Sequence, residues 1–147
     1  MLIVDTREKK NDHILEYFDK KSIDYRVEKL DCGDYAKENH KVIIDRKKNL
    51  DELALNLMSK DRTRFYREIR RAREQGIKLI ILCEHGYSVK SIEDVKNWKS
   101  KYSKVSGRAL MNKIYEAHIA YGIEFLFCNK KSIAKRILEL LEVDYEQ

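Results

Sequence analysis

Three side chains within one short stretch could do chemistry together: Asp34, Asp45 and Lys47. Asp34 sits in the corner Asp31-Cys32-Gly33-Asp34-Tyr35, and ten residues separate it from Asp45-Arg46-Lys47. The second group closes an apolar run, Val42-Ile43-Ile44, which reads as a β-strand. If that strand pairs in a hairpin with the strand preceding Asp34, both carboxylates and the ammonium gather at one end of a sheet. Asp45 and Lys47 are two apart, so on a strand they share a face while Arg46 points to the other. Two acids and a lysine converging in this way suit a divalent metal ion and a water attacking phosphorus. Each residue also has a plainer reading. Asp34 could be a turn residue satisfying local amides, and Lys47 a solvated member of the basic run Arg46-Lys47-Lys48.

The elements that must position these groups follow from hydrophobic periodicity. Leu2-Ile3-Val4 is a short strand running into Asp5-Thr6-Arg7-Glu8, and Ile14, Leu15 and Phe18 give a helix over about 12–21. Tyr25 to Leu30 alternates apolar and charged residues, as a half-exposed strand does. The hairpin tip falls at Lys37-Glu38-Asn39-His40. Asn49, with Glu52 three residues on, predicts an N-capped helix carrying Leu50, Leu53, Leu57 and Met58 inward. A very basic helix over 62–74, striped with Phe65, Ile69 and Ala72, stops at Gly76. Leu79-Ile80-Ile81-Leu82 is continuous, as a central strand covered on both faces would be, and ends at Glu84. Ser91-Ile92-Glu93-Asp94 reads as a capping box opening a short helix through Trp98, and 99–107 as a basic, mobile loop. A helix over 109–121, a strand over 123–127 and a closing helix over 132–142 complete the chain. This order predicts a three-layer α/β domain with a mixed sheet flanked by helices, because the connection through 36–40 is too short for a parallel crossover.

Composition narrows the partners. The 147 residues fit a single domain, and 43% hydrophobic with 38% charged residues reads as globular with a heavily charged surface. A formal net charge of +6 makes a polyanion a reasonable partner. The 3 cysteines are scattered and never paired as C-x-x-C, which fits buried thiols in a reducing compartment. No opening signal peptide is apparent, and no apolar run approaches the roughly 18 residues of a membrane span. The expected location is therefore cytoplasmic, at the nucleoid in a prokaryotic or phage setting, with the nucleus left open. The four histidines show no metal-ligand spacing. Arg64, Arg67 and Arg71 on the basic helix, with Lys104 and Arg108 beside Trp98 and Tyr102, are the candidates for DNA backbone contact, since such contacts supply sequence-independent affinity. For any one of them the plainer reading is a solvated face balanced by Glu68 and Glu74.

Asp5-Thr6-Arg7-Glu8, Gly33-Asp34-Tyr35 and Asp45-Arg46-Lys47 with Asp51 resemble the three signature blocks of the XPF/Hef-type structure-specific nuclease domain. That family belongs to the restriction-endonuclease-like PD-(D/E)xK superfamily. The likeness is tight over about residues 1–55 and looser to about 142. The family usually has Glu where this chain has Asp45, and the superfamily accepts either acid. The resemblance implies a restriction-endonuclease-like fold, Mg²⁺ with Mn²⁺ substituting, and hydrolysis of branched DNA such as flaps, forks or Holliday-type junctions in repair or recombination. It also implies a homodimer, for which the apolar faces around 110–121 and 133–141 are plausible seams, though each could be ordinary core.

Carried over residue by residue, the resemblance makes Asp34 and Asp45 metal ligands, joined by the Arg46 carbonyl. Asp5 would hold a metal-bound water or a second ion, Arg7 would grip the scissile phosphate, and Lys47 would orient or help deprotonate the attacking water. Arg46 would support the site by pairing with Asp51 or another acid. Asp5, Arg7 and Glu8 could instead form a structural ion pair. Asp51 could simply stabilise a helix N-terminus. Glu84, at a strand end, is a further candidate for the metal's neighbourhood. The rival reading is a catalytically inactive, nuclease-like subunit that binds DNA or regulates a partner; the presence of Asp34, Asp45 and Lys47 argues against it.

Overall fold

Apolar runs from both halves of the chain meet in one mixed sheet. The computed structural model describes residues 1–60 and 62–146. Its strands are β1 (Leu2–Asp5), β2 (Tyr25–Glu28), β3 (Tyr35–Lys37), β4 (Val42–Lys47), β5 (Lys78–Glu84) and β6 (Glu124–Cys128), in the order β2-β1-β3-β4-β5-β6. β3 is antiparallel to both of its neighbours, and the other pairs are parallel. Helices α1 (Asp12–Lys20) and α5 (Ile133–Leu140) cover one face, packing Ile14, Phe18, Ile137 and Leu138 onto Val4, Tyr35, Ile44 and Leu82. Helices α2 (Leu50–Met58), α3 (Arg62–Glu74) and α4 (Gly107–Tyr121) cover the other, packing Leu53, Phe65, Ile69 and Ile114 against Ile43, Ile81 and Cys83. This is the expected three-layer α/β architecture with a mixed sheet. No helix among the described residues is long and apolar enough to cross a membrane.

The hairpin differs from the sequence expectation. The strand anticipated at 25–30 is not the partner of β4; it lies at the sheet edge, parallel to β1, with Leu2 opposite Tyr25 and Asp5 opposite Glu28. β4 pairs instead with the three-residue β3, Tyr35 opposite Ile44. Three residues are too few to show an alternation. Gly33 makes the sharp entry into β3: its φ is +73°, and a Cβ there would collide with Ile43 Cγ2.

Local signals at helix ends mostly persist. The Asn49 side chain caps α2 by accepting from the Glu52 N–H at 2.8 Å. The capping box expected at Ser91 does not form: Ile92–Asn97 is a short 3-10 helix with no side-chain cap, and Asp94 accepts from the Lys90 N–H at 2.9 Å instead. The stretch read as a mobile loop is tied down, because Lys99 and Ser106 pair across its base. α4 then starts at Gly107, capped by Ser106, two residues before the expected start. The two faces considered as dimer seams are filled from within the chain: Leu110, Ile114 and Ala117 are buried, as are Ile133, Ala134, Ile137, Leu138 and Leu141.

A histidine closes the junction between β5 and α2. The Leu50 N–H donates to His85 Nδ1 at 3.1 Å, so His85 must be neutral to hold the helix start. Burial lowers its pKa below the usual 6.5, Asp51 opposing. The unfolded chain therefore takes up this proton first as pH falls, and stability drops below about pH 6.5, by less than about 1.4 kcal/mol per pH unit for one group. Urea unfolding between pH 5 and 7 should show this slope, and His85→Asn, an acceptor without the titration, should flatten it.

Candidate active site

The three acids of the signature blocks meet at one end of the ladders joining β1, β3 and β4. β1 pairs with β3 with Val4 opposite Tyr35, and β3 with β4 with Tyr35 opposite Ile44. Both ladders of β3 end there, and the acids lie just beyond: Asp5 closes β1, Asp34 precedes β3, and Asp45 follows Ile44 on β4. Two backbone bonds hold Asp34 between its neighbours: the Asp5 N–H donates to the Asp34 carbonyl and the Asp34 N–H to the Ile44 carbonyl, each at 2.8 Å. Strand alternation puts Asp5 and Asp45 on the face beneath α2 and α3. A small cavity of about 190 Å³ opens there, lined by Asp5, Arg7, Cys32, Gly33, Asp34, Asp45, Lys47 and Glu68.

Asp34 and Asp45 are joined side chain to side chain by a hydrogen bond, and Asp34 Oδ2 also accepts the Arg46 N–H at 2.7 Å. Burial, then the charges of Asp45 and Glu8, push the Asp34 pKa well above the usual carboxylate value. Two carboxylates in such contact need a proton or a cation between them. Lys47 supplies part of that charge: its Nζ lies 3.1 Å from Asp45 Oδ2 and 5.1 Å from the centre of the Phe65 ring. Burial alone would lower the Lys47 pKa, but Asp45 outweighs it and the pKa is raised, so the side chain is an ammonium.

The oxygen donors fit a hard divalent cation, which is content with one or two carboxylates plus water and substrate oxygens. No three His, Cys, Asp or Glu side chains among the described residues converge closely enough to hold an ion by themselves. Asp34 and Asp45 are the pair the geometry offers.

Asp5 is differently placed. Its Oδ1 accepts from the Leu30 N–H (2.7 Å) and Arg7 Nη2 (3.2 Å), and its Oδ2 from the Arg7 N–H (3.1 Å) and Nε (2.9 Å). Burial alone would raise its pKa, but these bonds outweigh it and the pKa is lowered. With four donors on two oxygens, Asp5 holds Arg7 rather than offering a free lone pair to an ion. The same bonds aim Arg7, whose Nη2 also reaches the Leu30 carbonyl at 2.7 Å, along the wall of the cavity.

Arg46 lies on the opposite face of the sheet, as strand alternation requires. Its guanidinium is buried and bonds Glu8 Oε2 at 3.1 Å and Glu84 Oε1 at 3.2 Å, with the carbonyls of Lys9 and Lys10 each at 3.3 Å. The Tyr35 hydroxyl donates to Glu8 at 2.6 Å, and His13 Nε2 lies 2.9 Å from Glu84 Oε1. Glu8 and Glu84 thus belong to a polar core behind the site. The acids held by Arg46 are these two, not Asp51. Asp51 lies in the first turn of α2 and accepts from the Ser100 hydroxyl at 2.6 Å, and it does not line the cavity of the other acids.

Among the basic candidates, Arg64 is brought next to the site, lining a cleft of about 240 Å³ with Lys47, Asn56, Phe65 and Glu68. Arg67 and Arg71 lie with Arg70 and Glu74 on the outer side of α3. Lys104 and Arg108 are exposed on the 99–106 loop and the start of α4. The residue the sequence reading overlooked is Glu68, counted there only as balancing charge. Its spacing of three from Phe65 was the available signal, since that places it at the edge of the helix's buried stripe.

The ERCC4 domain matches residues 4–141. The chain belongs to the ERCC4 domain family. This is a family of structure-specific nucleases, and the XPF/Hef-type resemblance in the three blocks agrees with it. Among solved structures, the chain is similar to XPF from Aeropyrum pernix, with a TM-score of 0.71 at 20% identity. The match covers 97% of this chain and 63% of that one, and at this identity it speaks for the fold. No curated protein matches the chain by sequence.

Two outcomes test this geometry. Asp34→Asn should raise the melting temperature in EDTA, by roughly 2–4 °C for each kcal/mol of repulsion relieved, and should abolish any stabilisation by added Mg²⁺. Arg46→Ala leaves Glu8 and Glu84 without their buried partner and should cost roughly 3–5 kcal/mol in urea unfolding.

Proposed function

We propose that this chain is a divalent-cation-dependent endonuclease hydrolysing phosphodiester bonds in branched DNA, with a role in repair or recombination. The observation that carries the reading is the side-chain contact of Asp34 with Asp45, with the Lys47 ammonium on Asp45 in the same cavity. A Mg²⁺ ion held by the two carboxylates, or Mn²⁺ in its place, would lower the pKa of a bound water and polarise the phosphoryl group. The chain's own residues divide the remaining work. Lys47, charged at neutral pH, orients the water and offsets charge growing on the phosphoryl oxygens, a role its raised pKa favours over proton abstraction. Arg7, held by Asp5, and Arg64, beside Lys47, grip the phosphates on either side through planar forks. The basic face of α3 and the 99–106 loop supply salt-sensitive backbone affinity.

A homodimer is proposed on the family resemblance, with its surface elsewhere than the two faces now filled by core. The rival reading, an inactive DNA-binding or regulatory subunit, shares every feature except turnover.

Cleavage of labelled duplex, flap, fork and four-way junction DNA should require Mg²⁺ and favour the branched substrates. Lys47→Ala should cut turnover about 10²-fold or more while leaving DNA affinity little changed. No cleavage of any substrate in Mg²⁺ or Mn²⁺ by a protein that still binds DNA would hand the case to the rival.

A further inference from the structure

A tyrosine for which the fold has no use stands on the 99–106 loop. Tyr102 is 85% exposed, the most exposed large apolar side chain among the described residues. The loop under it is built rather than slack. Lys99 and Ser106 pair across its base. The buried Ser100 hydroxyl donates to Asp51 Oδ1 at 2.6 Å and accepts from the N–H groups of Tyr102 (3.1 Å) and Ser103 (3.0 Å). Because Asp51 lies in the first turn of α2, this clasp ties the Tyr102 backbone to the helix that follows the strand of Asp45 and Lys47.

Between loop and helix lies an apolar cleft of about 230 Å³, walled by Ala54, Leu55, Met58, Val105 and Tyr102. Leu55 is itself 60% exposed at its edge. On the same loop and in the first turn of α4, Lys99, Lys101, Lys104 and Arg108 are exposed, and none of them has an ion-pair partner among the described residues. An aromatic side chain lining an apolar slot, on a loop that carries unpaired cations, matches a ligand with a flat apolar surface on an anionic chain. An unpaired nucleotide is such a ligand; in a duplex the faces of the bases are already covered by stacking.

We propose that Tyr102 and the Leu55–Met58–Val105 cleft form a subsite for one unpaired DNA base, with Lys101 and Lys104 on its neighbouring phosphates. The subsite deepens the nuclease reading and rests on it for its place beside the branch point: it gives the chain a means of telling branched DNA from plain duplex. Asp51, which resembles the family's trailing acid, is here a positioning residue acting through Ser100.

The test is a binding measurement in EDTA, where cleavage plays no part. Fluorescence anisotropy compares a fork with unpaired arms against a blunt duplex, with single abasic sites stepped along the arms. The wild-type chain should lose roughly tenfold in affinity when one particular arm position lacks its base. Tyr102→Ala, which leaves the melting temperature unchanged, should show the same loss on the intact fork and no longer respond to the abasic site. Tyr102→Phe should behave as wild type, and 2-aminopurine at the responsive position should be quenched by wild type but not by Tyr102→Ala. Equal weakening on fork and blunt duplex, or no weakening on either, overturns the subsite. The two readings fail separately: a base-specific loss without Mg²⁺-dependent cleavage sinks the nuclease and keeps the subsite, and cleavage without that loss does the reverse.

Discussion

Two carboxylates held against one another on adjacent strands are the constraint around which the remainder is arranged. Asp34 and Asp45 share a hydrogen bond in a partly desolvated cavity, an arrangement in which both cannot carry full charge unopposed. The chain maintains it because the backbone leaves no choice. Gly33 turns the strand entry so that the Asp34 N–H meets the Ile44 carbonyl, which brings its side chain beside Asp45, the next residue of β4. Lys47 offsets part of the charge, and a cation would offset the remainder. Local stability is set aside here, as it commonly is at functional sites.

Behind the acids, the sheet carries a second polar layer, whose Arg46, Glu8 and Glu84 do not line the cavity. Arg46 joins Glu8 and Glu84, and Tyr35 and His13 complete the bonds of those two acids. Burying an arginine with two glutamates is costly unless every group is satisfied. Here β1, β4 and β5 each end in, or run into, one of the partners. The layer locks three strand ends together and so holds the acids on the other face in place. The same strand therefore does two jobs through alternation: Asp45 and Lys47 face the cavity, and Arg46 fastens the strand from behind.

Much of the architecture could be read from residue order. The capped start of α2 at Asn49, the stripe of α3 and its stop at Gly76, and the continuous run of β5 are local signals, and the structure keeps them. The signals that failed were short or competed for. β3 is too brief to alternate visibly, so residue order points to the wrong hairpin partner for β4. Ser91 has the residues of a capping box, but Asp94 turns back to the Lys90 N–H and only a 3-10 helix follows.

The sequence by itself determined which residue types stood at strand ends, that Asp45 and Lys47 share a face, and that Arg46 cannot join them, because a two-residue period is a property of the strand alone. Only the tertiary structure decided what each charged group meets. Asp5 spends its lone pairs on Arg7 and Leu30, Arg46 finds Glu8 and Glu84, and Asp51 clasps Ser100 from 49 positions away. Glu68 reaches the cavity from a helix read as a basic surface. Partners distant in sequence are chosen by strand register and helix packing, and no local pattern encodes those.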